Sequence, residues 1–96
     1  MIASFKCRET QKVFDGYFSA DFPSDIQQTA RRKLRLIAAA ININDLRQPP
    51  GNRLEKLSSD RTGQYSIRIN EQWRICFEWT DGAAHQVEIT KHYDLE

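Results

Sequence analysis

The run from Asn52 to Trp79, NRLEKLSSDRTGQYSIRINEQWRICFEW, constrains this chain more than any other stretch. Tyr65, Ile67 and Ile69 alternate with Gln64, Ser66 and Arg68. Farther on, Trp73, Ile75, Phe77 and Trp79 alternate with Arg74, Cys76 and Glu78. Side chains on a strand point to opposite faces with period two, so each segment has one apolar and one polar face. Keeping both apolar faces on one side fixes the hairpin register by parity. A two-residue loop Glu71-Gln72 sets Ile69 opposite Arg74 and mixes the faces. A three-residue loop Asn70-Glu71-Gln72 sets Ile69 opposite Trp73, Ile67 opposite Ile75 and Arg68 opposite Arg74. Like charges directly across a ladder destabilise it. Both guanidinium groups must turn out to water or be held for an anion.

Ahead of this hairpin the period changes to that of helices. Ile2 to Phe5 reads as a short strand, and Glu9 to Phe18 as a helix with Val13, Phe14, Tyr17 and Phe18 on one side. Ser24, with Gln27 three residues on, gives a capping-box pattern. From there Ile26, Ala30, Leu34, Ile37 and Ile41 form an amphipathic stripe. Asn42 to Asn52 is a connector with a helical turn at Asn44 to Leu46, and Pro49-Pro50-Gly51 ends any helix there. Arg53 to Leu57 reads as a strand and Ser58 to Gly63 as a polar loop. Thr80-Asp81-Gly82 suits a three-residue hairpin loop with Gly82 at positive φ, leading to a last strand marked by Val87 and Ile89. That loop pairs Arg74 with Glu88. The expected architecture is α+β: two helices packed on one face of an antiparallel sheet, in a single domain over residues 1–96.

Charge matters here through its placement. The net charge is +1, yet Arg31, Arg32, Lys33 and Arg35 form a local basic run on the second helix, opposite its apolar stripe. Such a run is ordinarily a solvated face; its functional alternative is contact with RNA phosphates. No apolar run approaches the roughly 20 residues that span a membrane, and no signal-peptide pattern opens the chain. Cys7 and Cys76 are therefore expected to be reduced, in the cytoplasm. No metal-ligand spacing, P-loop or Ser/His/Asp pattern occurs, so neither metal nor cofactor is expected.

NRLEKL, DRTGQYSIRIN and QWRICFEW, followed by a strand ending in HQVEITKHY, resemble the HigB-type toxins of the RelE/ParE superfamily. The resemblance runs from MIASF to KHY. It implies a RelE-like two-layer fold with the active site on the sheet side away from the helices. It also implies a toxin encoded beside an antitoxin, cleaving mRNA in the ribosome. The expected partners are a HigA-like antitoxin, the ribosome and its mRNA, and operator DNA through the antitoxin. The rival readings are a ParE-like inhibitor of DNA gyrase and an inactive toxin-fold protein that only binds antitoxin and operator.

The family's W-R-I/L arginine, here in Trp73-Arg74-Ile75, is implied to lie in the active site. Its planar fork fits two phosphate oxygens. Arg53, Arg61 and Arg68 join it as candidate phosphate contacts, and Arg31, Arg32 and Arg35 as candidate ribosomal RNA contacts. Where family members ending in Asp-Tyr-His use that terminal His and Asp, this chain reads Lys91-His92-Tyr93. It carries Glu55 in place of a family His and Ser58 in place of a family Lys. Proton transfer is thereby assigned among Glu55, Lys91, His92 and Tyr93, with strand alternation putting His92 on the face of Arg74. On an open face, Arg74→Ala is expected to leave the fold intact or slightly stabilised.

Overall fold

The computed structural model describes residues 1–57 and 63–91. The described residues form two helices, α1 (Arg8–Phe14) and α2 (Ser24–Ala39), then two 3-10 turns (Ile43–Arg47 and Pro50–Asn52). Strands β1 (Glu55–Lys56), β2 (Gln64–Arg68), β3 (Trp73–Thr80) and β4 (Ala83–Lys91) follow. They make an antiparallel sheet in the order β1-β2-β3-β4. The α+β architecture is the expected one. Ser58 and Arg61 in the polar loop, and His92 and Tyr93 in the tail, lie outside the described residues.

The β2–β3 hairpin takes the register that parity requires. Ile67 faces Ile75 and Arg68 faces Arg74. The Ile69 N–H donates to the Trp73 carbonyl at 2.9 Å, closing the loop over Asn70-Glu71-Gln72. Asn70 Oδ1 accepts from the N–H groups of Gln72 and Trp73, an Asx-type turn that fixes this bend.

The second hairpin differs from expectation. Thr80 pairs with Ala83, so the loop is the two residues Asp81 and Gly82, both at positive φ as a type I′ turn demands. Carried onward unchanged, that register would set Arg74 opposite Ile89 and mix the faces. Instead β4 holds one extra residue between its pairings of His85 with Glu78 and Glu88 with Cys76. Gln86, at φ 54°, forms this bulge. Arg74 therefore faces Thr90, not Glu88. Glu88 instead reaches Lys6 Nζ at 3.7 Å.

The bulge also explains why Ile2 to Phe5 is no continuous strand. The N-terminal segment runs parallel to β4 and bridges it only at Ile2–Ala84 and Phe5–Val87, on either side of Gln86. Between them Ser4 supplies both bonds, its Oγ accepting from the Gln86 N–H and its carbonyl from that of Val87.

Ile67, Ile69, Trp73, Ile75, Phe77, Val87 and Ile89 are buried together with Ile26, Ala30, Leu34 and Ile37 of α2. The stripe ends there. Helix α2 stops at Ala39, and Ile41 is 83% exposed. Helix α1 stops at Phe14, before Gly16 at φ 95°, leaving Tyr17 and Phe18 exposed beyond it. Thr10 of α1 ties the layers, its Oγ1 accepting from the Ile89 N–H at 3.0 Å. The expected strand Arg53 to Leu57 shortens to β1, because Arg53 takes a left-handed backbone (φ 45°, ψ 56°).

The capping box at Ser24 does not form. Ser24 is already helical, the N-cap is Pro23, and no side chain caps the helix. Gln27 turns inward instead, accepting from the Ser19 N–H at 2.9 Å and donating to the carbonyls of Ser19 and Phe22. It fastens the α1–α2 connector to α2. Gln27→Ala should thus cost about 1–3 kcal/mol, the scale of buried partners left unpaired. Ser24→Ala should change stability by less than about 0.5 kcal/mol. Urea denaturation of the two variants checks this, and a loss confined to Ser24→Ala would restore the capping box.

Candidate active site

Arg74 is the second residue of β3, on the face away from the helices, but it is not open to water. Its residue is 3% exposed. The segment from Asn52 to Glu55 folds over it. Nε donates to Ser66 Oγ on the neighbouring strand at 2.9 Å. Nη2 donates to the Arg53 carbonyl at 2.7 Å, and Nη1 stands 3.6 Å from Glu55 Oε1. Burial pushes the Arg74 pKa down, the Glu55 carboxylate opposes that, and Arg68 and Arg53 add to it. An arginine stays protonated through such a shift. The expectation that Arg74→Ala leaves stability untouched or raised is overturned, because the side chain holds partners that its removal would strand.

Arg53, Glu55, Arg68, Asn70, Glu71 and Arg74 line a concavity of about 310 Å³. Three guanidinium groups face two carboxylates there, so its charge favours an anion. Of the sequence-derived candidates, Arg74, Arg68, Arg53 and Glu55 are brought together at this one place. Arg68 lies beside Arg74 through the ladder register, and Arg53 and Glu55 through the fold-over of the connector.

Lys91 goes elsewhere. It pairs with Trp73, whose ring belongs to the core side, and its Nζ lies 5.6 Å from that ring's centroid. Strand alternation sets it on the face opposite Arg74, which corrects its assignment to the proton-transfer group.

The basic run divides. Arg31, Arg32 and Arg35 line a shallow surface with Gln28 on the helical layer, across the sheet from Arg74. Arg31 Nε also reaches the Phe14 carbonyl at 3.5 Å. Lys33, from the same run, is buried at 7% exposure and donates to Asn52 Oδ1. Burial lowers its pKa, with a smaller push from Arg32. Asn52 is fully buried, and its Nδ2 donates to the carbonyls of Leu46 and Gln48 at 3.2 and 3.1 Å.

Reading the sequence missed Ser66, Asn52 and Lys33. Ser66 reads in the sequence as a polar-face residue; a small hydroxyl one strand over from an arginine is the available signal. Lys33 carries one signal, its place between Ala30 and Ile37 on the flank of the apolar stripe; Asn52 carries none, since their meeting joins residues 19 positions apart on elements of different type.

The family model of the HigB-like toxin, described as the RelE-like toxin of type II toxin–antitoxin system HigB, matches residues 4–92. Toxin HigB-1 of Vibrio cholerae serotype O1 is 44% identical over 70 residues, 73% of this chain and 74% of that protein. Endoribonuclease HigB of Proteus vulgaris is 29% identical over 85 residues, 88% of this chain and 91% of that one. Among solved structures, the YoeB–YefM complex from Staphylococcus aureus has the same fold, with TM-score 0.61 and 19% identity over 97% of this chain and 99% of that one. This chain belongs to the HigB-like toxins, the RelE-like toxin of type II toxin–antitoxin systems.

Proposed function

We propose that this toxin is an endoribonuclease that cuts mRNA on the ribosome, with residues 1–96 acting as one domain. The observation that carries the reading is Arg74, a buried and fully oriented guanidinium in a concavity shared with Arg53 and Arg68. The relative named Endoribonuclease HigB supports it.

In cleavage by the RNA's own 2′-hydroxyl, the 2′ oxygen bonds to phosphorus and the bond from phosphorus to the 5′ oxygen breaks. Negative charge grows on the non-bridging oxygens as this happens. A guanidinium fork fixed before the substrate arrives meets that charge without reorganising, an effect worth several kcal/mol. Arg68 and Arg53 add charge on either side. The 2′-hydroxyl proton must leave and the 5′ oxygen must gain one. We assign the first of these roles to Glu55, whose carboxylate stands 3.6 Å from Arg74 Nη1. We assign the second proton-transfer role to the tail, to His92 or Tyr93, and include Arg61 among the phosphate contacts. Histidine ordinarily titrates near pH 6.5, which suits either task.

Among the described residues the concavity offers few convergent groups, so the message has to be held in line by something larger. We assign that task to the translating ribosome, with Arg31, Arg32 and Arg35 contacting ribosomal RNA from the helical layer. A HigA-like antitoxin neutralises the toxin and carries it to operator DNA.

Arg74→Met, which keeps the volume, and Arg74→Lys, which keeps the charge but not the fork, should each lower cleavage by about 100-fold or more. Growth inhibition by a soluble Arg74→Met protein at the native level would sink the assignment. Arg74→Ala should also lower stability by about 1–3 kcal/mol in urea denaturation, because Ser66 Oγ and the Arg53 carbonyl lose their donor.

Purified protein should leave naked mRNA intact and cut only message under translation. Efficient cutting of free RNA would contradict the ribosome's role. Failure of DNA supercoiling before translation, on expression in a bacterium, would favour gyrase inhibition.

The tail yields a separate test. With His92 as the acid or base, His92→Gln loses about 100-fold in rate, and the unmodified enzyme's pH–rate profile bends near the histidine pKa. If Tyr93→Phe carries the loss and the bend is absent, the role belongs to Tyr93.

A further inference from the structure

The guanidinium of Arg74 is oriented by a backbone carbonyl, and that carbonyl needs an anchor of its own. Arg53 supplies it from a left-handed backbone conformation, one that non-glycine residues adopt at a cost and only where their surroundings impose it. The Arg53 side chain is exposed and lines the concavity, so it does not impose the conformation. The preceding residue is the anchored one. Asn52 is fully buried, and all its side-chain bonds run to the connector or to α2. Nδ2 holds the carbonyls of Leu46 and Gln48, one within and one just after the first 3-10 turn. Oδ1 accepts from Lys33 Nζ, which reaches it from α2. The Asn52 N–H closes on the Pro49 carbonyl at 2.9 Å, and the Arg53 N–H on that of Pro50 at 3.1 Å.

We propose that Asn52 and Lys33 are positioning residues for Arg74. Together they tie the turn before β1 to α2, and so aim the Arg53 carbonyl and the Glu55 carboxylate at the guanidinium. Neither touches the concavity; both act through the segment that closes over Arg74. Lys33 is a buried amine whose burial lowers its pKa, and it donates to this amide oxygen. A lysine kept only for a solvated basic face would stay in water beside Arg32 and Arg35. The inference rests on the reading of Arg74 as the phosphate-binding group.

The test is a double-variant cycle on the full chain, scored by single-turnover cleavage of a translated message on purified ribosomes. Asn52→Ala should slow cleavage by about 10- to 100-fold, the scale of a misplaced catalytic group. The ribosome concentration giving half the maximal rate should stay unchanged. Lys33→Met should act in the same direction with a smaller loss. Added to Arg74→Ala, neither variant should slow cleavage further, because both act through that side chain.

Full-rate cleavage by Asn52→Ala, or losses that multiply in the double variants, would overturn the proposal while leaving Arg74 in its role. Full-rate cleavage by Arg74→Ala would overturn both. Should Asn52→Ala fail to fold, Lys33→Met decides through the Nε–H resonance of Arg74 in ¹⁵N spectra. That resonance should shift and exchange faster with water as the guanidinium loses the Arg53 carbonyl and the segment that covers it. An unmoved, equally protected resonance overturns the proposal.

Discussion

A guanidinium taken out of water on a sheet this small is a constraint that the surrounding chain must answer. The effective cost of burying an ion is several kcal/mol, and it is offset only where geometry and hydrogen bonds are both good. Arg74 meets that condition through a hydroxyl from β2, a backbone carbonyl from Arg53 and a carboxylate from Glu55. Two of the three come from the segment just before and within β1. That segment must lie across the polar face of the sheet, which shortens β1 and bends Arg53 into its left-handed conformation. The concavity follows from the same arrangement. It is what remains between the folded-over segment, the Arg68 side of the ladder and the β2–β3 turn.

The sheet that carries Arg74 keeps its faces separate by a compensation. Asp81 and Gly82 favour a tight two-residue turn, and by parity that turn alone would exchange the faces of β3 and β4. One extra residue, Gln86, restores the parity. Val87 and Ile89 go into the core, and Thr90 comes to lie beside Arg74. The same bulge splits the N-terminal segment's pairing into two isolated bridges, with Ser4 supplying the bonds between them.

In the basic run on α2, adjacent residues have different fates. Arg32 and Arg35 stay exposed, Arg31 packs over the Gly16 turn, and Lys33 is drawn inward to Asn52. Charge counted along the sequence treats the four alike. Their helical phase does not, because Lys33 sits three residues after Ala30 and four before Ile37, on the flank of the buried stripe. The helical layer of this toxin thus reaches around to the segment that packs over Arg74.

Alternation and helical period are local and are legible in the sequence alone. They determined the β2–β3 register, the placing of Arg68 opposite Arg74, the core stripe from Ile26 to Ile37, and the layering of helices on one sheet face. The family motif singled out Arg74 among the arginines, and the family model agrees with that membership. Three features followed from couplings that neither period describes. The bulge at Gln86 depended on the turn chosen at Asp81-Gly82, and the inward turn of Gln27 depended on where Ser19 and Phe22 lay. The burial of Arg74 depended on Arg53 and Glu55 folding across it, where an alternation reading makes that segment one more strand of the sheet. Side-chain direction along a strand is a property of its own backbone, so sequence determined which face Arg74 takes. Whether that face meets water or a carbonyl depends on a segment about twenty residues away, and only the tertiary structure decided it.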